Sequence, residues 1–239
     1  MLTAADCQRL AAWTAKAASL PRLVFLVNDR PESHLFRPFL EAVRQYFPQL
    51  TWSEEEIPAT DLPGLAIGEA WRFHVVPEGR KLQYLEDILF AGNGQSALPQ
   101  EVTAKWAQLP FPPTLLVFIA AACPYCPQVL SRLLPLATAN PAPRLQVIEA
   151  PLFLEVAHNY DIKAVPTVII NDLHRLTGVF PLAELADLAA RTDPAQLPPD
   201  LLARMLKEGQ AGIIGELMAA QGRLFPNFRP LLLHPELNI

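Results

Sequence analysis

The sequence predicts an α/β chain in which one strand–helix pattern occurs twice in tandem, followed by a helical tail. Three observations carry this. Two strongly apolar runs, 22–28 (RLVFLVN) and 114–120 (TLLVFIA), each precede an amphipathic stretch of helical length. Downstream of each, a proline (Pro63, Pro166) introduces two short strand-like runs and a closing helix. From about Thr192 the alternation gives way to short helical stretches. Alternating strands and helices fold as a mixed central sheet flanked by helices. The expected divisions are 1–105, 106–191 and 192–239.

The elements follow in order. The run 22–28 lies between Pro21 and the turn-prone Asn28-Asp29, as a buried strand does. A helix over 35–47 has Ser33 as its expected N-cap. Residues 50–55 suit a second strand, 65–67 a third after Pro63, and 71–76 its hairpin partner. An amphipathic helix over 81–91 is expected to end at Gly92. The second copy reads strand 114–120, helix 124–139, strand 145–149, helix 153–160, strand 167–171 after Pro166, strand 175–180 and helix 182–191. The first copy lacks a helix between its second strand and Pro63. Residues 96–110 read as a linker with a short helix. In the tail, 201–207 and 213–220 are helical and 225–233 is apolar with two interrupting prolines. Its last residues, 237–239, show no obvious cap, and the tail is expected to dock on the second copy or to begin a helical repeat.

Composition narrows the function. Net charge is −5 with no long basic run, which argues against nucleic acid, since phosphate binding needs clustered Lys and Arg. No apolar run approaches the roughly 20 residues of a membrane span. The N-terminal stretch reads as an amphipathic helix and not as a signal peptide, so a cytoplasmic location is expected. Three cysteines are too few for a disulfide framework. The 25 prolines fall mostly at element boundaries, as punctuation of compact folds.

The chemistry concentrates in Cys123-Pro124-Tyr125-Cys126. Disulfide exchange needs a thiolate that attacks and a second thiol that resolves the mixed disulfide. Cys123 is placed where a buried strand ends and a helix begins, and unpaired N–H groups and the helix dipole favour an anion there. Cys126 is expected one turn deeper and more buried. Pro124 suits a first helical position. With Cys123 as N-cap, Pro127 falls fourth in the helix and removes the first intrahelical hydrogen bond. A zinc site would need two more ligands, and no second Cys-x-x-Cys or His pair has suitable spacing.

Cys-Pro-Tyr-Cys after a buried strand resembles glutaredoxins. Its extension to Cys-Pro-Tyr-Cys-Pro, on the second of two tandem folds, resembles the protein disulfide oxidoreductases. It is similar also to the N-terminal domain of the alkyl hydroperoxide reductase flavoprotein subunit. The segment 160–167 (YDIKAVPT) resembles the other signature of the thioredoxin superfamily, a cis-proline facing the active site. The resemblance spans roughly residues 21–191 and implies two tandem thioredoxin-like folds. It implies that Cys123 is the nucleophile and Cys126 the resolving thiol. Pro166 would be cis, and Pro124, Tyr125, Val165, Pro166 and Thr167 would meet the substrate, Val165 and Thr167 through backbone groups as in strand addition. It implies protein disulfides as substrates, a peroxidase among the candidate partners, a separate thioredoxin-reductase-like flavoprotein as electron source, and no bound cofactor or metal.

The chain also departs from these families. The first copy has Asn28-Asp29-Arg30-Pro31-Glu32-Ser33-His34 in place of a cysteine pair, so it cannot exchange disulfides. No flavin-binding Gly-x-Gly-x-x-Gly follows, and no attached reductase domain is expected. The strand before the motif is wholly apolar where thioredoxins carry a buried Asp, so proton transfer from Cys126 must use water or another group. Gly178-Val179-Phe180 replaces the glutathione-binding features of glutaredoxins. Glutathione-dependent reduction and a redox-sensing or docking module without turnover stand as alternatives. Cys7 is expected as a packed small side chain, and His158 and His174 as surface or structural. Glu149, at a strand end, is placed to approach the active site, and Lys163 to help hold a thiolate or an acidic partner, but solvation is the expected role of both. Trp71 and Phe73 are expected to lie in the core.

Overall fold

The computed structural model describes residues 2–16, 21–90, 98–139, 143–207 and 209–233. The expected stop at Gly92, the first residues of the linker and the end at 237–239 lie outside them. In chain order the first copy comprises α1 (Ala4–Trp13), β1 (Leu23–Val27), α2 (Ser33–Tyr46), β2 (Trp52–Glu56), β3 (Gly64–Ile67), β4 (Trp71–His74) and α3 (Arg80–Leu89). After α4 (Gln100–Trp106), the second comprises β5 (Thr114–Ile119), α5 (Cys126–Leu133), β6 (Arg144–Glu149), α6 (Leu154–Asn159), β7 (Thr167–Ile170), β8 (His174–Thr177) and α7 (Leu182–Ala190). The tail adds α8 (Pro199–Lys207), α9 (Ala211–Gln221) and a 3-10 helix, Pro226–Leu233.

The repeat is real at the level of pairing. β1 runs parallel to β2 and antiparallel to β3, which pairs antiparallel with β4. β5, β6, β7 and β8 reproduce the two corresponding β1 pairings and the closing hairpin. The copies do not form two sheets. β4 pairs in parallel with β6, with Phe73 opposite Val147 and His74 opposite Ile148, giving one sheet in the order β2-β1-β3-β4-β6-β5-β7-β8.

The central strands are apolar throughout because both faces are covered. Leu115, Val117 and Ile119 of β5 and Leu145 and Val147 of β6 join the main core with the buried faces of α1 to α5 and α7. The intervening Leu116, Phe118 and Ile148 point to the other face, under Phe153 and Ala157 of the α6 region. Behind the first copy, where no helix was expected, Val24, Leu26 and Ala66 are covered by Ile57 in the chain between β2 and Pro63. Trp71 and Phe73 are buried.

Two helices differ from expectation. Ser33 is the first residue of α2 and Glu32 its cap. The Ser33 hydroxyl accepts from the Asn28 N–H at 3.2 Å instead, tying the loop where the second copy has its cysteines. The stretch 124–139 divides into α5 and a 3-10 helix, Leu134–Thr138, because Pro135 cannot donate to continue the α-helical ladder.

The described part of the tail docks beside the start of β5. Leu197, Leu201, Leu202, Met205, Ile214 and Leu231 form a separate cluster around Phe111, just before β5. Arg204 reaches Asp172 at 3.1 Å, and Asp172 also accepts from the Tyr160 hydroxyl at 2.8 Å. Asn171, in the β7–β8 turn at φ 52°, accepts from the Thr114 N–H at 2.9 Å and donates to Thr192 Oγ1 at 3.0 Å. Replacing Asn171 with Ala orphans the buried Thr114 N–H and leaves a less tolerant residue at positive φ. The expected loss is roughly 3 kcal/mol, read as a lower urea midpoint.

His74 ends β4 at the junction of the copies, its Nδ1 3.0 Å from the Pro63 carbonyl and its ring edge-on to Phe153. Burial lowers its pKa from 6.5 to about 4, against the raising effect of the Pro63 hydrogen bond and with a smaller lowering by Arg72. The neutral ring therefore contributes stability that is complete above 6.5 and lost as pH falls toward 4. Urea titrations of the protein and of His74→Phe should show their stability difference moving in the variant's favour by roughly 3 kcal/mol across that interval.

Candidate functional site

The site is built where β5 ends. Ala120 leaves the sheet and accepts a hydrogen bond from the Cys123 N–H at 3.1 Å, turning the chain toward α5. Cys123 precedes the helix, Tyr125 is the N-cap and Cys126 is the first helical residue. Pro127 is thus the second helical residue and not the fourth. Its missing N–H is one the helix leaves unpaired anyway, and the first intrahelical bond, Val129 N–H to Tyr125 carbonyl at 3.2 Å, survives. The expected loss at Pro127 does not occur.

Cys123 and Cys126 are joined in a disulfide with Cα atoms 5.5 Å apart. Cys126 is fully buried, Cys123 is 8% exposed, and Tyr125 between them is 59% exposed. Pro124 is also exposed. The Cys126 N–H points at Cys123 Sγ at 3.0 Å. In the reduced protein that bond, at a helix start, stabilises a thiolate on Cys123. The inner sulfur is shielded by core side chains, and the outer one lies nearer the surface.

The second expected segment faces the first. The Val165–Pro166 bond is cis, and the Val165 carbonyl oxygen lies 3.6 Å from Cys123 Sγ. The Pro166 carbonyl accepts from Gly178 N–H at 2.8 Å, which fixes the loop to the β7–β8 hairpin. Thr167 is almost fully buried, and its hydroxyl binds the Ala164 carbonyl at 2.8 Å and Thr177 Oγ1 at 3.0 Å. Of the expected contact residues, Pro124, Tyr125 and Val165 border the exposed side of the cysteine pair, whereas Thr167 braces the loop from within. Lys163 is exposed and paired with Asp161. Cys7 is a partly buried free thiol on α1.

Glu149 departs from expectation. It is 7% exposed, and both its carboxylate oxygens accept from Lys81 Nζ at 2.9 Å. A solvated position was expected because a strand end commonly faces water. Here the seam between the copies brings α3 over that end. The available signal was Lys81 itself, since a lysine in the first turn of a helix opposes the dipole and calls for an acidic partner. A second contact between copies is Arg30, which pairs with Glu155 and lies over the Phe153 ring. Among the described residues no group of three or more His, Cys, Asp or Glu is arranged to hold a metal. No helix there is long and apolar enough to cross a membrane.

Residues 114–189 match the thioredoxin domain family. No curated protein matches the sequence. The fold is similar to the N-terminal domain of alkylhydroperoxide reductase AhpF from Enterococcus faecalis, with TM-score 0.64 and 17% identity over 80% of this chain and all (100%) of that one. It is similar also to a protein disulfide oxidoreductase from Aeropyrum pernix, with TM-score 0.63 and 16% identity over 80% of this chain and 93% of that one. The chain thus has a thioredoxin-like fold, as its sequence implied.

The position of Pro127 has a measurable consequence. A fourth-position proline replaced by Ala would restore a hydrogen bond and stabilise the protein. At the second position no bond is there to restore, and the unfolded chain only gains freedom. Pro127→Ala should therefore lower stability by up to about 1 kcal/mol in chemical denaturation.

Proposed function

We propose that this chain, with its thioredoxin domain at residues 114–189, is a thiol–disulfide oxidoreductase acting on protein disulfides through Cys123 and Cys126. The observation that carries the reading is the meeting of three features at one point. They are a cysteine sulfur at a helix start, an N–H aimed at it at 3.0 Å, and a cis-proline loop whose carbonyl stands 3.6 Å away. The first two make a nucleophile, and the third gives an extended peptide a place beside it.

In the reducing direction the Cys123 thiolate attacks one sulfur of a substrate disulfide. A bond forms between Cys123 and that sulfur, and the substrate's other sulfur leaves as a thiolate. Cys126 then gives up its proton and attacks Cys123 Sγ, releasing the second substrate thiolate and closing the Cys123–Cys126 disulfide. Oxidation of a substrate dithiol is the same sequence reversed. Which direction runs is set by the reduction potential of the pair against its partners. Pro124, Tyr125 and Val165 provide the apolar rim against which the substrate backbone lies. A peroxidase as electron acceptor and a separate flavoprotein as donor fit this chemistry, and the likeness to an alkylhydroperoxide reductase domain favours them over free glutathione.

Cys126→Ser leaves the attacking sulfur without its resolving partner. That variant should accumulate mixed disulfides with a disulfide-containing protein such as insulin, stable on non-reducing gels, and Cys123→Ser should form none. The parent protein should accelerate insulin reduction by dithiothreitol. Reversible oxidation without acceleration would identify a sensor, and acceleration only with glutathione and its reductase would identify a glutaredoxin-type enzyme.

A further inference from the structure

The tail lies outside residues 114–189, which match the thioredoxin domain family, and the reaction proposed above leaves it without a role. One of its side chains nevertheless reaches the base of the cis-proline loop. Arg204 of α8 donates to Asp172 at 3.1 Å, and Asp172 accepts from the Tyr160 hydroxyl at 2.8 Å. Tyr160 is the C-cap of α6 and the residue from which the chain departs toward Pro166. Burial, then the charge and hydrogen bond of Asp172, push its phenol up against a smaller lowering by Arg204, so the hydroxyl stays a donor.

The backbone at this base needs support. Asp161 takes φ 49°, a left-handed conformation that is costly for a residue carrying a Cβ. It closes α6 as a glycine commonly does, with the Ile162 N–H donating to the Ala157 carbonyl at 2.8 Å and the Asp161 N–H to that of His158 at 2.9 Å. Such a turn persists where the surrounding contacts over-determine it. Arg175 of β8 supplies one set, donating to the Asp161 carbonyl at 3.0 Å and to the Tyr160 carbonyl. The Asp172–Arg204 pair supplies the other, at the tip of the Tyr160 side chain. Apolar packing carries the position of this base to the cysteines. Tyr160, Ile162 and Val165 lie on one cluster with Phe118 and Phe153. The Tyr160 ring is 5.6 Å from that of Phe118, whose register partner is Thr167, next to Pro166. Val165 is the residue whose carbonyl stands 3.6 Å from Cys123 Sγ. In a closely packed cluster, a tilt of the Tyr160 ring displaces its neighbours, Val165 among them.

Building on the oxidoreductase reading, we propose that the C-terminal extension sets the loop that receives protein substrates. Arg204, acting through Asp172 and Tyr160, is the positioning residue that holds the Val165–Pro166 segment in place before a substrate arrives. Without that hold the loop must be ordered as the substrate binds, which weakens binding and leaves the reactivity of the Cys123 sulfur as it was.

The test compares a protein substrate with a small one on the full-length chain. Arg204→Met and Tyr160→Phe each break the link, the second with no change of charge. Insulin reduction by dithiothreitol is followed against insulin concentration. Dithiobis(nitrobenzoate), which releases a coloured thiolate when Cys123 attacks it, reports the sulfur alone. Each variant should raise KM for insulin by roughly threefold to tenfold, with kcat and the first coloured release within about twofold of the parent protein. Arg204→Lys, which keeps a cation opposite Asp172, should retain the parent's KM. The combined Arg204→Met/Tyr160→Phe variant should raise KM no further than the larger single change, because both cut one link. The parent's KM in both single variants overturns the proposal, as does a first coloured release slowed as much as insulin reduction. If Arg204→Met does not fold, the parent's KM in Tyr160→Phe overturns it alone. Absence of insulin reduction by the parent protein overturns instead the oxidoreductase reading on which it rests.

Discussion

The parallel pairing of β4 with β6 is the contact on which the rest of this structure depends. Without it the chain would be two similar sheets joined by a linker. With it, the last strand of the cysteine-free copy lies beside the second strand of the cysteine-bearing one, in register from Trp71–Leu145 to His74–Ile148. The backbone hydrogen bonds are the smaller part of the consequence. The seam carries α3 across to α5, places Lys81 over the end of β6, and brings Arg30 to the start of α6. The first copy has lost its cysteines, but its charged side chains reach into the half that keeps them.

The two copies were legible because their central strands are short, wholly apolar and bounded by Pro or Asn-Asp, and a strand buried on both faces has few other ways to be written. The cysteine site was legible for a different reason. Cys-x-x-Cys and Val-Pro-Thr are local signatures, and folding brought them within 3.6 Å. The seam was not legible. Trp71 and Phe73 mark a buried strand but do not say which strand lies beside it, because ladder pairing runs through the backbone and leaves no pattern in the side chains. Glu149 was misread for the same reason, its environment being decided by a helix sixty-odd residues earlier. Pro127 was misplaced by two positions because Cys123 resembles a cap in spelling, while the chain spends two more residues, Pro124 and Tyr125, before the helix begins.

The copies differ in what covers the second face of the sheet. In the second, α6 shields Phe118 and Ile148, and the cis-proline loop follows it. In the first, the chain from Ile57 to Pro63 lies across the corresponding face with no helix. Asn28 secures it, donating to the carbonyls of Pro58 and Asp61 at 2.9 and 3.0 Å. The loop that carries the disulfide in one copy carries in the other a hydrogen-bonding hub that fastens its own loops.

Fusing the copies also changes what the molecule shows to its neighbours. Two separate four-stranded sheets would offer four open edges to any unpaired strand in a crowded solution, whereas the joined sheet has only β2 and β8 at its margins. One of these, β2, is the sequence Trp-Ser-Glu-Glu-Glu, largely exposed. A second copy approaching that margin would bring carboxylate against carboxylate before any backbone bond could form. A second copy of this chain is thereby discouraged from pairing along that margin.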